Sequence, residues 1–436
     1  MAYQYIANKT SYLYENANDG TWNMLLIYGD EVEATGAEVN QRIPVKYRDR
    51  QGYIKKDHLG PSPVLEVYYI DVGQGDSTFI VTPDRKNILI DGGQNRRALG
   101  FLAWKYRLDK PGSSVDIDLL VLTHADSDHI NGLVPIINHP GITVRHIAHS
   151  GIATFEKGQY QTVLGDLDVT GKFLVTRHGD LSGLGAANLS KEFSAWKESI
   201  SRKNIDYKAV DARDGDLDAG DAHVTIDIIG PRVDLIDGKP AYKKYENESK
   251  TLNGHSVVLR LIYDNVSFLF TGDINEKSTK YLMEDPSLTQ KMDAHVLKAP
   301  HHGSHDFHLP FLEAVRPQVS IISSGDEPDH GHPRALFIGS VGRASRSDKP
   351  LVYSTEIAAT FVESDQRITL KEDSDLENED FRKIEANVKA RLLFKQRLNG
   401  MINVRTDGQK IYSARRVAAG YWWESYDPLT PVSRLS

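Results

Sequence analysis

Along the first 60 residues, apolar and polar positions alternate in short stretches rich in Tyr, Val and Ile, broken by turns such as Asn18-Asp19-Gly20 and Tyr28-Gly29-Asp30. The pattern predicts a small all-β unit over residues 1–60. Pro61-Ser62-Pro63 follows, and two prolines two apart disfavour continuation of either helix or strand, so a linker is expected there. From Val64 the apolar runs lengthen. Leu65–Val72, Thr78–Val81, Ile88–Ile90 and Leu119–Thr123 read as strands, with helices expected over residues 96–107 and 129–138. A polar, glycine-rich interval near residues 179–222 separates these from a second set of strands at Val224–Ile229, Ser256–Tyr263, Ser267–Thr271, Ala294–Lys298 and Gln318–Ser323. Two half-sheets parted by a polar segment fit an α+β sandwich of sheets better than one doubly wound sheet. The acidic run Glu372–Asp380 leads into an expected amphipathic helix near 381–398, then strands Gly400–Arg405 and Gln409–Ala414 joined at Asp407-Gly408.

Length and composition narrow this picture. A chain of 436 residues exceeds one ordinary domain. Three parts are expected: the β unit over 1–60, a main domain over 64–365, and a helix-plus-hairpin extension over 366–436. With 40% apolar and 26% charged residues, the balance is that of a water-soluble globular protein. No window approaches the 18 consecutive apolar residues of a bilayer-spanning helix, so no membrane partner is expected. Met1-Ala-Tyr-Gln-Tyr-Ile6 lacks the basic stretch and apolar run of a secretory signal, which makes a cytoplasmic location the expectation. Zero cysteines remove disulfides, thiolate metal sites and thiol nucleophiles together, so any metal must be held by nitrogen and oxygen. The net charge of −8 argues against a wholly basic nucleic-acid coat but leaves room for a local basic groove.

The candidate chemistry lies where apolar strands end. Leu119-Leu-Val-Leu-Thr-His-Ala-Asp-Ser-Asp-His-Ile-Asn-Gly132 runs a buried strand straight into His124, Asp126, Asp128 and His129. A strand end followed by a turn lets alternate side chains converge, as a divalent cation requires; imidazole and carboxylate suit zinc, manganese or iron. Phe268-Leu-Phe-Thr-Gly-Asp273 ends another strand in a carboxylate, Val296-Leu-Lys-Ala-Pro-His-His302 ends one in paired imidazoles, and Ile88-Leu-Ile-Asp91 repeats the device.

At these residues the chain resembles the metallo-β-lactamase superfamily, and within it the soluble hydrolase domain of the ComEC competence proteins. The resemblance rests on Tyr69-Ile-Asp-Val-Gly-Gln-Gly-Asp-Ser77, Leu89-Ile-Asp-Gly-Gly93, His124-x-Asp-x-Asp-His129, Asn253-x-x-Ser-Val-Val-Leu259, Thr271-Gly-Asp273, Pro300-His-His-Gly-Ser304 and Gly331-His-Pro333. It covers about residues 64–365 and implies an αββα sandwich holding two divalent metal ions, zinc or manganese. By that resemblance His124 and Asp126 serve the first metal, Asp128 and His129 the second, Asp273 bridges them, and a last ligand comes from His301, His302 or His332. Asp126 stands where many members place a second His, which shifts the expectation from strict zinc toward manganese as well. His255 lies near a position where many members place a ligand, although the Asn253-x-x-Ser256 pattern does not require it. Asp128 and Asp273 are the candidate catalytic residues, Asp128 orienting the attacking hydroxide. Asp91 is expected to fix a ligand His, Asp76 to line the pocket from a glycine-rich turn, and Lys298, His301 and Ser304 to contact a phosphate. Separately, Ile43 to Leu59 resembles the closing hairpin of bacterial Src-homology-3-type barrels. That implies a protein or ligand partner for the amino-terminal unit.

The expected activity is hydrolysis of a phosphodiester in a nucleic acid or nucleotide, because the ComEC-like resemblance implies such a substrate and a metal pair suits an in-line displacement. An ester, lactam or thioester would suit the same fold, and a metal-retaining, non-catalytic binding protein is the reading from another class. His139, His146, His149, His178, His223, His295, His305 and His308 fall outside the matching pattern and are expected to be structural. His330 is expected near the site. The basic stretch from Arg382 to Arg416 reads either as a solvated helix face or as a nucleic-acid-facing patch, and Tyr421-Trp-Trp423 as a cover for the core edge or a partner surface.

Overall fold

The computed structural model describes residues 3–184, 188–325, 331–356, 400–416 and 423–432. The expected helix near 381–398, His330, Tyr421 and Trp422 lie outside the described residues.

Alternation along the strands builds four layers. In Leu65–Tyr69, Leu65, Val67 and Tyr69 turn to one side and Tyr68 to the other; in Asn87–Ile90, Ile88 and Ile90 oppose Leu89. Leu65, Val67, Ile88 and Val121 meet Val257, Phe268, Val296 and Ile321 in the central core between two sheets. On the outer side of the first sheet, Phe79, Leu89 and Leu120 pack on Phe101, Leu133, Ile136 and Trp196 of the helical layer. On the outer side of the second, Leu269, Leu297 and Ile322 pack on Leu282, Phe311 and Phe337. This is the αββα sandwich that the sequence implied.

The first sheet has nine strands, in the order Asp206–Ala209, Ile142–His149, Val115–Leu122, Asn87–Ile90, Thr78–Val81, Leu65–Tyr69, Ile402–Thr406, Ile411–Arg416 and Trp423–Ser425. The second has seven: Asp216–Leu217, Val224–Gly230, Val258–Tyr263, Val266–Phe270, Val296–Lys298, Val319–Ile322 and Leu351–Ser354. Neighbouring strands from Asn87–Ile90 to Asp206–Ala209 are parallel, as are those from Val266–Phe270 to Leu351–Ser354. Loops after parallel strands leave from the same edge, where ligands bind in such sheets.

Several expectations change in detail. The helix expected over 129–138 is two short ones, Ser127–Ile130 and Leu133–Ile137, because the chain must pass Gly132, where a Cβ would lie 1.9 Å from the Gly92 carbonyl oxygen. The polar interval near 179–222 contains the helix Lys191–Lys203 and the strand Asp206–Ala209. Ser190 caps that helix by accepting from the Phe193 amide, and Phe193, Trp196 and Ile200 form its buried stripe. Burying each of these side chains contributes about 1.5–3 kcal/mol. The hairpin expected beyond the main domain runs over Ile402–Thr406 and Ile411–Arg416, and it lies inside the first sheet, Val404 opposite Val67.

Residues 3–60 form a seven-stranded antiparallel sheet around their own core of Ile6, Leu13, Met24, Leu26, Val32, Val45 and Ile54. Arg405, 4% exposed, ties this unit to the sandwich: one guanidinium nitrogen lies 2.9 Å from Asp30 Oδ1 and 3.2 Å from Glu66 Oε2. The Tyr28 and Tyr412 rings stack beside it with centroids 3.7 Å apart.

Candidate metal centre

Three imidazoles converge at the strand-end edge, each anchored through Nδ1. His124 Nδ1 lies 3.1 Å from Thr123 Oγ1 and 3.2 Å from Ser256 Oγ. Thr123 Oγ1 already donates to Asp91 Oδ2 at 2.7 Å, and Ser256 Oγ to the Asn253 carbonyl at 2.7 Å. A hydroxyl has one proton to give, so both oxygens accept from His124 and its hydrogen sits on Nδ1. His129 Nδ1 donates to Asp91 Oδ2 at 2.8 Å, and His302 Nδ1 to the Ser323 carbonyl at 3.0 Å. In the neutral form of each of the three rings Nε2 is therefore the lone-pair nitrogen. All three Nε2 atoms are buried without a hydrogen-bond partner, and so is Asp273 Oδ1.

Two carboxylates complete the group. Asp273 Oδ2 stands 3.1 Å from His302 Nε2, 3.5 Å from His129 Nε2 and 3.9 Å from His301 Nε2. Asp128 places Oδ2 3.4 Å from His302 Nε2 and Oδ1 3.9 Å from His129 Nε2, while Gln74 donates to its Oδ2 at 3.2 Å. His124, His129 and Asp273 each offer an atom within 4.8 Å of the others, and so do Asp128, His129 and His302. Buried polar atoms without partners are costly. A divalent cation is the partner that lone-pair nitrogens and carboxylate oxygens share, and an N/O set of this kind fits zinc or manganese.

The backbone is shaped to this end. His301 and His302 have φ of 45° and 53°, a left-handed conformation that costs a non-glycine residue about 1–3 kcal/mol. It is pinned by the His301 amide donating to the Gly272 carbonyl at 3.1 Å and the Ser304 amide to the His301 carbonyl at 2.8 Å. Gly75, at φ +101°, passes so close beneath Asp128 that a Cβ would lie 1.8 Å from its carbonyl oxygen.

Electrostatics follow the geometry. Burial, then the neighbouring His129, push His124 down to about 3, so it stays neutral. Burial opposes the charge of His129 and His302, but Asp273 with Asp91 or Asp76 outweighs it and holds both well above the ordinary histidine value. Burial opposes ionisation of Asp273, yet His302, His129 and His301 keep it well below the usual carboxylate range. The negative field that would retain protons here equally stabilises a cation.

Other expected site residues are placed differently. Of His301, His302 and His332, His302 brings a buried nitrogen to 3.1 Å from Asp273 Oδ2; His301 Nε2 approaches the same oxygen at 3.9 Å from a ring 27% exposed, and the His332 ring stacks on that of His302 at 6.2 Å. His255 does not join them: its Nε2 donates to the Lys243 carbonyl at 2.8 Å and its ring stacks on Tyr245. Asp126 is half-buried and caps the helix Ser127–Ile130, its Oδ1 accepting from the Ser127 amide at 2.9 Å. Asn253 is buried with Oδ1 lacking a partner. Lys298 does not face a phosphate: it is 3% exposed and ion-paired with Asp76. Ser304 is buried, its Oγ accepting from the Asp306 amide at 3.2 Å. Sequence reasoning gave no role to Gln74, Thr123, Ser256 or the Ser323 carbonyl. Gln74 and Ser256 lay within the matching motifs, whereas Ser323 acts through its backbone and leaves no side-chain signal.

Residues 70–325 match the profile of the family described as Metallo-beta-lactamase superfamily. ComE operon protein 3 of Bacillus subtilis (strain 168) is 26% identical over 295 residues, which cover 64% of this chain and 31% of that protein. Among solved structures, a metallo-beta-lactamase of Cronobacter sakazakii is 16% identical with a TM-score of 0.28, covering 54% of this chain and 75% of that one. CmlA, a diiron beta-hydroxylase from Streptomyces venezuelae, is 13% identical with a TM-score of 0.35, covering 68% of this chain and 54% of that one.

Proposed function

This chain belongs to the metallo-beta-lactamase superfamily of metal-dependent hydrolases, and from that premise we propose that it hydrolyses phosphodiester bonds of a nucleic acid or nucleotide with two divalent ions, zinc or manganese. The observation that carries the metal reading is the set of three buried Nε2 lone pairs and one Asp273 oxygen, all without partners. His129, His302, Asp128 and Asp273 would hold one ion; His124 and the shared Asp273 would hold the other, with Asp126 the nearest further carboxylate in sequence. Such ions supply an activated water at neutral pH and offset the negative charge that develops during the displacement.

The chain's own groups do the rest. Asp91, Ser256 and the Ser323 carbonyl hold the three rings in the tautomer that faces inward. Gln74 fixes one oxygen of Asp128, leaving the other to orient a nucleophilic water. His301, partly open to solvent with Nε2 3.9 Å from Asp273 Oδ2, would donate a hydrogen bond to an incoming phosphate oxygen. The phosphodiester specificity draws its support from the ComEC-like motifs and the N/O donor set. A docking or substrate-selecting role for residues 3–60 draws support from their separate core and from exposed Tyr12 and Trp22, whose rings lie 4.6 Å apart.

Hydrolysis of bis-p-nitrophenyl phosphate and of single-stranded DNA by the wild type and by Asp128→Ala tests this reading. Turnover by the wild type and its loss in the variant is the expected result. A metal-loaded wild type that cleaves carboxylic esters and neither phosphodiester would overturn the substrate assignment.

A further inference from the structure

Lys298 and Asp76 form an ion pair in which both side chains are almost sealed from solvent, at 3% and 5% exposure. A buried pair of this kind is weak evidence for stability, because desolvating two charges offsets most of their attraction, so its retention calls for another account. Its position supplies one. Asp76 Oδ1 lies 3.3 Å from His302 Nδ1, and Asp76, Asp273 and His302 each offer an atom within 4.8 Å of the others. Lys298 Nζ lies 3.5 Å from the carbonyl of Gly272, the residue before Asp273. Gly75, the residue before Asp76, packs against the Asp128 backbone. One pair thus touches, or is bonded to a residue touching, the segments that carry His302, Asp273 and Asp128.

We infer that Asp76 and Lys298 are positioning residues, a buried ion pair that aims His302 and Asp273 at the metal, and that Lys298 has no contact with substrate. Lys298 reaches Asp76 from the strand that leads into His302, so the pair closes a loop between the Gly73–Ser77 turn and the second sheet beside the ring. Asp91 holds His129 by a direct hydrogen bond, its carboxylate satisfied by the Thr123 amide and hydroxyl, whereas Asp76 acts on His302, whose Nδ1 hydrogen goes to the Ser323 carbonyl, through its charge at 3.3 Å. Asp76 has no such donors on Oδ1, and Lys298 is what keeps its charge in place.

The inference rests on the metal reading above, and the test separates the two. Cobalt(II) is titrated into the full-length wild type, Lys298→Met, Asp76→Asn and the doubly substituted, charge-free variant. Affinity is read by competition with a chromophoric chelator, and coordination by the visible cobalt bands. Asp293→Asn, which breaks the buried Arg346 pair at 2.9 Å, controls for loss of stability alone. The expected result is a tenfold to hundredfold weaker cobalt affinity and shifted bands in each single variant. The double variant should be no weaker than the weaker single, and Asp293→Asn should bind as wild type. A folded double variant with wild-type affinity and spectrum would overturn the inference, as would a loss in Asp293→Asn equal to that in the site variants. A wild type that binds no cobalt would overturn the metal reading itself, and the inference with it.

Discussion

Asp91 accepts the Nδ1 hydrogen of His129 at 2.8 Å from a backbone held at φ 59°, while the Thr123 amide and hydroxyl donate to its two oxygens at 2.8 and 2.7 Å. The strand-end carboxylate is thereby committed to a ring rather than to an ion. Asp91→Asn tolerates the left-handed backbone but can present an amide hydrogen to Nδ1, favouring the wrong tautomer. Metal affinity is expected to fall about tenfold to a hundredfold with the fold retained. Chelator competition beside a circular dichroism melt checks both halves, and unchanged affinity would count against the orienting role.

Gly75→Ala places a Cβ 1.8 Å from the Asp128 carbonyl at a φ of +101°. A loss of about 1–3 kcal/mol is expected from overpacking alone, together with lower turnover because Asp128 must move. Gly100→Ala, inside the helix Arg97–Tyr106 with nothing within 4 Å, should instead gain about 0.5–1 kcal/mol. Urea denaturation of the two variants gives the comparison; a gain in both would contradict the close approach.

His255→Gln should lower stability by about 1–3 kcal/mol, through the Lys243 hydrogen bond and the Tyr245 stack, and leave metal content per chain unchanged. Loss of one metal equivalent in a folded variant would return His255 to the ligand set.

Stability should also decline in mild acid through histidines remote from the metal centre. His149, whose Nδ1 accepts from Tyr207 Oη and the Gly151 amide, is pushed down by burial to about 3. His295, whose Nδ1 accepts from the Ser267 amide, is pushed down by burial to about 4. In the unfolded chain a histidine titrates near 6.5, so the unfolded state takes up protons first as the pH drops. The contribution is complete above that value and is lost as the pH falls toward the folded values. Each group should cost about 2 kcal/mol of unfolding free energy between pH 7 and pH 5. Denaturant titrations of the chelator-treated protein at the two pH values measure this, with His149→Gln showing the smaller drop. An identical drop in that variant would remove His149 from the account.

How much of this was legible depends on the range of the interaction. Apolar runs ending in Asp91, His124, Asp273 and His302 are local features, and a strand whose last residue is a ligand type announces itself. The helix Lys191–Lys203 is also local, but Gly and Asn on its amino-terminal side diluted a stripe of only Phe193, Trp196 and Ile200. The pairing of Ile402–Thr406 with Leu65–Tyr69 joins segments more than 300 residues apart, and no periodicity within either strand encodes that partner. Lys298 sits next to the imidazole pair in sequence, and adjacency suggested a substrate contact. The pleat of the strand and the Gly73–Ser77 turn decide instead that it meets Asp76. Likewise His255 and Ser256 are neighbours, yet Ser256 reaches His124 and His255 turns to Lys243.

The central claim is that His124, His129, His302, Asp128 and Asp273 hold divalent ions. Metal content of the purified wild type and of a His129→Ala, His302→Ala double variant, by inductively coupled plasma mass spectrometry after loading with zinc or manganese, tests it most directly. The account predicts about two ions per wild-type chain and a clear deficit in the folded variant. A wild-type chain that retains neither metal under any loading condition would contradict it.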